Sequence, residues 1–341
     1  MKKPISVFLM FIVACAVLCG AGAAQEWTPV TVTDSNGDTI TISEYPTKII
    51  SLAPANTEII YAVGAGDRLV GDTTYCNYPE AAKTVEKIGE FSVINRERII
   101  ALSDGPTVIF ANPNNGKDTI DYLRDQGLTV IVINPESIDT IYSSIRTIGD
   151  AVGNSTEAET VVASMKADIK KITDKLSDVT EKPTITHVMS VDPIYVSGSA
   201  TFQNELFELA GAVNAFADVD GWKTVTLEKL LITDPQIILT DPGADMGTIG
   251  YDSLRESFYT EPRLVTLSAV QNDNVYVVDA DTFDRGGPRV VEALENLVMI
   301  THPEIFGEVK TPVSTQQSPG FGIAAGLSGI LGAVLLLKRR F

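Results

Sequence analysis

One segment of this chain is periodic over more residues than any other. From Thr156 to about Val179, apolar side chains recur every three or four residues, so they form one stripe along a helix. The stripe consists of Val162, Met165, Ile169, Ile172, Leu176 and Val179. At about 1.5 Å per residue, this helix is roughly 35 Å long, the size of a whole small domain. The sequence therefore predicts one long, rigid connecting helix, placed within residues 153–181.

Short apolar runs alternate with helical stretches on both sides of this helix. The predicted strands before it are KIISLA, LVGDTT, TVIFA and TVIVIN, and those after it are TITHVMS, PQIILT and VYVVDA. Such alternation is typical of a parallel sheet covered by helices. The predicted fold class is therefore α/β, with an N-terminal lobe at 25–152 and a C-terminal lobe at 182–308 joined by the single helix.

Both ends of the chain are apolar. Lys2 and Lys3 precede a run that ends in small residues, which is typical of a secretory signal and predicts one over residues 1–24. The stretch IVAC within it can also be read as a lipoprotein box. At the other end, the 19 residues Pro319–Leu337 span roughly 28 Å, enough for a hydrocarbon core, and basic residues follow them. Because such a cluster stays inside the cell, we expect an exported protein held at the outer membrane face by residues 319–341, with a stalk at 309–318.

The charge and cysteine content limit the partners and the covalent chemistry. The formal net charge is −18 and the pI is about 4.5. Because a nucleic-acid partner requires a basic face, no such partner is expected. Removal of the signal leaves Cys76 as the one cysteine, so no internal disulfide is expected. The sequon at Asn154 predicts an N-glycosylation site on an exported protein.

Motifs for catalysis and for metal binding are scarce. The two histidines, His187 and His302, each lack a second histidine at helical or turn spacing, so no metal site built on imidazoles is expected. Carboxylates are abundant, but no pair stands out from a solvated acidic surface, and no nucleophile–base pair is evident. We therefore expect a binding protein rather than an enzyme, with no catalytic residue and no catalytic cofactor.

Aromatic side chains are found in the predicted loops at the carboxyl ends of strands. They are Tyr75 and Tyr78 in TYCNYP, Phe91 in KIGEFS, Tyr195 in DPIYVSG and Trp222 in DGWKT. Asp281 and Arg285 occupy a similar place in DADTFDRGGPR. Ligands of open α/β sheets bind at this edge, so these residues mark a candidate binding cleft.

Three motifs in order, SLAP-N-TE, TYCNYP and GW-x5-E, form a specific combination. With it, the sequence from about Tyr45 to Phe306 strongly resembles the vitamin B12 and iron-siderophore binding proteins of ABC importers. The resemblance implies two lobes bridged by one long helix, with the ligand in the cleft between them. It also implies that the ligand contacts Tyr75, Phe91, Tyr195, Trp222, Asp281 and Arg285. In the B12-binding proteins the position of Phe91 holds a tryptophan and that of Tyr195 a phenylalanine, so both positions retain a ring.

The resemblance implies that the transported ligand is a corrinoid such as cobalamin. Ferric siderophore and haem are alternatives within the same importer class, and Tyr75 or Tyr78 could serve as the axial ligand of a haem. A surface enzyme or chelatase acting on a metal macrocycle is an alternative of another class. Cys76 is either a small packed residue or a soft contact near the metal.

The resemblance also implies protein partners and a means of attachment. The partners are the permease and ATPase of an ABC importer, and Glu97 and Glu228, one on each lobe, would pair with permease arginines. A monomer is expected. The C-terminal SPGFG, apolar run and KRRF resemble the PGF-type sorting tails of archaeal surface proteins, in which the tail is either kept or cleaved and replaced by a lipid.

Overall fold

The structure, a computed structural model, describes residues 27–241 and 253–307. The predicted signal (1–24), stalk (309–318) and membrane segment (319–341) lie outside the described residues. Among the residues that are described, none forms a helix that is both long enough and apolar enough to cross a membrane.

The N-terminal lobe is built on a four-stranded sheet. Its elements are β1 (Val30–Thr33), β2 (Thr39–Ile42), β3 (Lys48–Ser51), α1 (Pro54–Ala62), β4 (Leu69–Gly71), α2 (Arg96–Leu102), β5 (Thr107–Ala111), α3 (Lys117–Asp125), β6 (Thr129–Val132) and α4 (Ile138–Val152). The strands lie in the order β4-β3-β5-β6 and are all parallel, and β1 and β2 form a separate antiparallel hairpin. Strands β3, β5 and β6 are almost fully buried, which explains why they read as continuous runs of valine and isoleucine rather than alternating ones.

A single long helix, α5 (Ser155–Lys175), follows α4 and leads to the second sheet. Gly153 ends α4 in the left-handed conformation, with φ of 82°, and so allows the chain to turn directly into α5. The buried face of α5 carries Ala158, Val162, Met165, Ile169 and Ile172. These side chains belong to one core cluster that also contains residues of both sheets. The helix ends at Lys175, four residues before the predicted end, because the weak helix formers Ser177 and Asp178 follow.

The C-terminal lobe is built on a six-stranded sheet. Its elements are β7 (Thr184–Val191), β8 (Ile194–Ser197), α6 (Phe202–Leu209), β9 (Val213–Asn214), β10 (Trp222–Val225), α7 (Leu227–Thr233), β11 (Ile237–Thr240), α8 (Ser253–Thr260), α9 (Ser268–Gln271), β12 (Val275–Val277), α10 (Ala280–Phe283), α11 (Val290–Thr301) and α12 (Pro303–Phe306). The order is β10-β8-β7-β11-β12, and β9 also pairs with β7. This sheet is mixed, because the hairpin β7–β8 and the edge strand β10 are antiparallel whereas β9, β11 and β12 are parallel to their partners. The alternating sequence correctly predicted an α/β fold, but it did not predict the antiparallel hairpin.

Candidate functional site

The loop that follows β4 contains Tyr75 and Tyr78, and a lysine from outside the loop holds it in place. Lys87 Nζ donates to Asp72 Oδ1 at 2.7 Å and to the carbonyl oxygens of Cys76 and Ala82, each at 3.0 Å. One ammonium group therefore holds the start, the middle and the far side of the turn. Tyr75 is half-buried and Tyr78 is 44% exposed, so both rings remain accessible on this fixed backbone.

Cys76 lies below the loop, with 1% of its surface exposed. Its Sγ is 3.1 Å from Thr57 Oγ1 and 3.2 Å from Thr73 Oγ1. Burial raises the pKa of the thiol, and the nearby Asp72 raises it further. Of the two interpretations of Cys76, the geometry favours the small packed residue.

Asp72 is fully buried beside Cys76. Burial raises the pKa of its carboxyl group to about 7, although the hydrogen bond and positive charge of Lys87 act in the opposite direction. Its Oδ2 has no hydrogen-bond partner among the described residues. The loop thus rests on a carboxyl group that is only half ionised near neutral pH.

Two arginines of the C-terminal lobe reach a buried glutamate of the N-terminal lobe. Arg285 Nη1 lies 3.1 Å from Glu58 Oε1, and Arg289 lies 2.9 Å from Oε2 through Nε and 2.7 Å from Oε1 through Nη2. Glu58 is 3% exposed and Arg285 5% exposed. Between the arginines, Gly286 packs so closely on Pro135 that a Cβ there would lie 2.7 Å from the proline ring. We call Glu58, Arg285 and Arg289 the interlobe joint.

The interlobe joint extends to the tyrosine loop. Arg285 donates from Nη2 to the Tyr75 carbonyl oxygen at 3.1 Å and from Nη1 to Asn77 Oδ1 at 2.8 Å. Asn77 Nδ2 in turn donates to Asp281 Oδ2 at 2.6 Å, and Asp281 also pairs with Arg285. The structure therefore brings three predicted ligand contacts, Tyr75, Asp281 and Arg285, into one network, although the two charged groups mainly contact protein. Their contact with a ligand stays a prediction.

The two predicted rings of the C-terminal lobe lie together on its sheet, within strands β8 and β10 rather than in the predicted loops. In the pairing of β8 with β10, Tyr195 is opposite Thr224 and Trp222 is opposite Ser197, so the rings are diagonal neighbours on one face. Their centroids are 5.8 Å apart and their planes differ by 17°. Both side chains are half-buried. We call Tyr195 and Trp222 the aromatic platform.

A histidine and two aspartates lie under this platform. The His187 ring packs edge-on against Trp222, with centroids 5.6 Å apart, and against Phe283 at 4.9 Å. Its Nε2 is 2.6 Å from Asp241 Oδ2, and its Nδ1 is 4.0 Å from Asp284 Oδ1. His187 and Asp241 are fully buried. We call these three residues the buried triad.

The electrostatics of the buried triad are unusual. Burial lowers the pKa of His187, but the carboxylates of Asp284 and Asp241 outweigh this effect, so the pKa is raised. Burial raises the pKa of Asp284 to about 6, against the opposing charge of His187. Sequence reasoning missed the triad because it searched for a second histidine nearby. The aspartates are 54 and 97 positions further along the chain, and β11 reaches β7 only in the folded sheet.

Phe91, the remaining predicted ring, is half-buried after the turn that follows Ile88. The Asn115 side chain holds this segment by donating to the Phe91 carbonyl oxygen at 2.7 Å and to the Leu52 carbonyl oxygen at 2.9 Å. Within the described part of the chain, the structure shows no ring contact between Phe91 and the aromatic platform. Its contact with a ligand also stays a prediction.

Glu97 and Glu228 occupy equivalent places in the two lobes. Each is the second residue of a seven-residue helix, α2 or α7, and each helix begins after a capping side chain, Asn95 or Thr226. Both glutamates are exposed. Neither carboxylate forms an ion pair among the described residues, and pairing with permease arginines stays a prediction.

Asn154, the predicted glycosylation site, lies at the start of α5 and is half-buried. Its Nδ2, the atom to which a glycan would be attached, donates to the Val63 carbonyl oxygen at 2.7 Å. A glycan at this nitrogen therefore requires the side chain to rearrange. Glycosylation of Asn154 stays a prediction.

The two lobes and the single connecting helix are those of a solute-binding protein. The family model described as periplasmic binding protein matches residues 49–282, and the chain belongs to this family. A second model, the PGF-CTERM motif, matches residues 318–340. The resemblance to B12- and siderophore-type binding proteins of ABC importers, with an archaeal-type sorting tail, is thereby confirmed.

Individual relatives fit this assignment. The chain is 35% identical over 326 residues to the uncharacterized ABC transporter substrate-binding lipoprotein YvrC of Bacillus subtilis, covering 90% of this chain and 100% of that protein. It is 30% identical over 252 residues to the vitamin B12-binding protein of Vibrio cholerae, covering 73% of this chain and 87% of the relative.

Solved structures agree. The periplasmic vitamin B12 binding protein BtuF of Vibrio cholerae superimposes with a TM-score of 0.63 at 28% identity, over 75% of this chain and 96% of that one. A periplasmic heme-binding protein of Roseiflexus superimposes with a TM-score of 0.66 at 25% identity, over 75% and 97%. The protein is thus a substrate-binding protein of an ABC importer of the class that includes B12 and haem binders.

Proposed function

We propose that this protein captures a corrinoid between its lobes and delivers it to an ABC permease. The observation that carries the proposal is the aromatic platform, in which two nearly parallel, half-buried rings stack beside each other on one face of the C-terminal sheet. A corrin is a broad, partly apolar plate, and rigid rings cover such a plate with little loss of conformational entropy. Tyr75, Phe91, Asp281 and Arg285 complete the proposed cleft.

The charge at the site favours a corrinoid over a ferric siderophore. An anionic chelate requires basic groups that are free to bind it, whereas Arg285 and Arg289 are both already paired with Glu58. Breaking such a buried pair leaves an uncompensated charge and is costly. A corrin, fringed with neutral amides, can accept hydrogen bonds from the edge of this network without disrupting it.

Haem is the second candidate, and one observation favours it. Tyr78 is 44% exposed, and the Arg289 guanidinium lies 4.1 Å from the centre of its ring. An exposed tyrosine at the edge of the cleft is a suitable axial ligand for haem iron, because a tyrosine oxygen is one of the axial ligands that haem proteins use.

Calorimetry on the purified full chain, with cyanocobalamin, haemin and a ferric hydroxamate siderophore as separate titrants, tests the ligand. We expect saturable one-to-one binding of cobalamin, with weaker or no binding of the other two. Absence of cobalamin binding together with tight haemin binding that is lost in Tyr78→Phe would replace the corrinoid proposal with the haem one.

The proposed docking to the permease involves Glu97 and Glu228. Their equivalent helical positions and free carboxylates support this role. Exposed ion pairs are individually weak, so we expect them to act mainly on the rate of association and to be sensitive to salt. The double variant Glu97→Lys/Glu228→Lys should abolish uptake in cells and leave ligand affinity unchanged.

A matched control is the double variant Glu44→Lys/Glu181→Lys, which changes the net charge equally at two other exposed glutamates. It should support normal uptake. If both double variants lose uptake to the same extent, net charge rather than a docking surface is responsible.

The proposed location is the outer face of the membrane, with residues 319–341 as a membrane or sorting tail and 309–318 as a stalk. The match of the PGF-CTERM motif to residues 318–340 supports this attachment. A chain truncated after Gln317 should be released to the medium, as judged by fractionation. If the truncated chain stays with the membrane, the result would instead support the interpretation of IVAC as a lipoprotein box.

A further inference from the structure

We propose that His187 and Asp284 of the buried triad, with the His187 ring oriented by Asp241, bind a divalent cation of the first transition row, and that Zn²⁺ is a suitable probe for it. One ligand atom from each residue lies within 4.8 Å of the others. The site would lie within the C-terminal lobe, below Trp222. It does not depend on which macrocycle the cleft binds.

The first argument is the geometry around the imidazole. The contact of 2.6 Å between His187 Nε2 and Asp241 Oδ2 is a hydrogen bond in which Nε2–H donates to the carboxylate. The lone pair of the neutral ring is then on Nδ1. Histidines that bind metals characteristically donate their other ring N–H to a carboxylate, which fixes the tautomer and the ring orientation. Asp241 thus positions His187 as a ligand.

The second argument is an unpartnered nitrogen. His187 Nδ1 is fully buried and has no hydrogen-bond partner among the described residues. The closest carboxylate oxygen, Asp284 Oδ1, is 4.0 Å away, too far for a hydrogen bond. Two ligands of one ion, each about 2.0–2.2 Å from it, lie roughly 3–4 Å apart. The gap between His187 and Asp284 therefore fits an ion rather than a direct contact.

The third argument is charge. Two carboxylates flank the imidazole almost entirely out of water, and such a concentration of acidic groups favours a positive charge between them. A divalent cation between His187 and Asp284 would supply that charge. Gln203 holds the Asp284 carboxylate from the side, donating to Oδ1 at 3.3 Å and to the Phe283 carbonyl oxygen at 3.2 Å. The ligand set of one nitrogen and carboxylate oxygens suits a first-row transition ion better than Mg²⁺ or Ca²⁺.

The test is the metal content and Zn²⁺ affinity of the purified full chain, prepared without a polyhistidine tag. We expect about one equivalent of Zn²⁺ per chain, and visible absorption bands when Co²⁺ is supplied instead. His187→Gln and Asp284→Asn should abolish the bands. Asp241→Asn, which removes the positioning carboxylate, should weaken affinity about 10- to 100-fold.

The chain offers a matched control, because it contains only two histidines. His302→Gln replaces the other buried histidine and should leave the stoichiometry and the Co²⁺ bands unchanged. If His187→Gln does not fold, the wild type decides the question, since a chelator should lower its melting temperature and Zn²⁺, but not Mg²⁺, should restore it. Less than a tenth of an equivalent of metal in the wild type, or an equal loss in the His187 and His302 variants, would overturn the proposal.

Discussion

The two sides of the candidate cleft are held in different ways. On the N-terminal side, the loop with Tyr75 and Tyr78 depends on the other lobe, because Arg285 binds a loop carbonyl and Arg289 covers a loop ring. On the C-terminal side, the aromatic platform depends on its own lobe, through the pairing of β8 with β10 and the packing on His187. Lys87 also fixes the tyrosine loop from within its own lobe, so one surface gains further contacts when the lobes meet, whereas the other is held by its own lobe alone.

Because of this difference, we expect the two sides to play different roles in ligand binding. A preformed platform can meet the ligand first, since its geometry does not depend on the angle between the lobes. The tyrosine loop can complete the enclosure only in the arrangement that the interlobe joint stabilises. We therefore expect changes in the joint to alter stability and the N-terminal half of the cleft together, and changes in the platform to alter affinity alone.

Removal of Glu58 has the largest expected effect. Glu58→Ala leaves Arg285 and Arg289 buried without their common partner, which by the usual cost of breaking a buried pair destabilises the fold by about 3–5 kcal/mol. Urea unfolding measures this loss, and Glu97→Ala, which removes an exposed and unpaired glutamate, is the control. Equal stability of the two variants would mean that the interlobe joint does not hold the lobes.

The second prediction concerns the platform. Trp222→Ala should weaken cobalamin binding by about 1–3 kcal/mol, the scale for burying one aromatic ring, while Trp222→Phe should retain most of the affinity. Calorimetry measures both. Unchanged affinity in Trp222→Ala would mean that the aromatic platform is not part of the ligand site.

A double-mutant cycle sharpens the comparison further. In cobalamin affinity, Glu58→Gln and Trp222→Ala should be additive to within about 0.5 kcal/mol, because the described part of the chain shows no contact between the platform and the interlobe joint. Glu58→Gln and Asn77→Ala should couple by more than this amount, because Arg285 Nη1 donates to both side chains. Coupling of equal size in both cycles would contradict the separation of the two sides.

The last prediction is a pH dependence confined to the N-terminal side. The pKa of Asp72 in the folded protein is about 7, above its ordinary value of 3.8, so the folded state binds this proton more tightly. The resulting stabilisation is complete below about pH 4 and is lost as the pH rises through 7. Relative to the wild type, Asp72→Asn should therefore gain stability as the pH rises from about 4.5 to 7.5.

Urea unfolding at several pH values across this range measures how the stability difference between Asp72→Asn and the wild type changes with pH. Cys76 and Tyr61 face Asp72, and burial raises the pKa of each above its ordinary value, so neither titrates in this window. Asp192→Asn, at an exposed position, is the control. A difference between Asp72→Asn and the wild type that does not change with pH would contradict the shifted carboxyl group.

Several features of this protein follow from the sequence alone. The stripe from Val162 to Ile172 specified the connecting helix, because a period of three to four residues can be buried only on one side of a helix. The valine and isoleucine runs specified buried parallel strands, because a strand that is covered on both faces is apolar at every position. The family motifs specified the class of protein and singled out rings such as Trp222, which the fold places beside Tyr195.

Other features were decided only by the tertiary structure. Glu58 and Arg289 are 231 positions apart, and His187 and Asp284 are 97 apart, so no local pattern relates either pair. A buried charge is tolerated only where distant segments supply its partner, and which segments meet depends on strand order and lobe packing. For this reason the sequence identified Arg285 as a candidate ligand contact, whereas the fold alone showed that its guanidinium joins the two lobes.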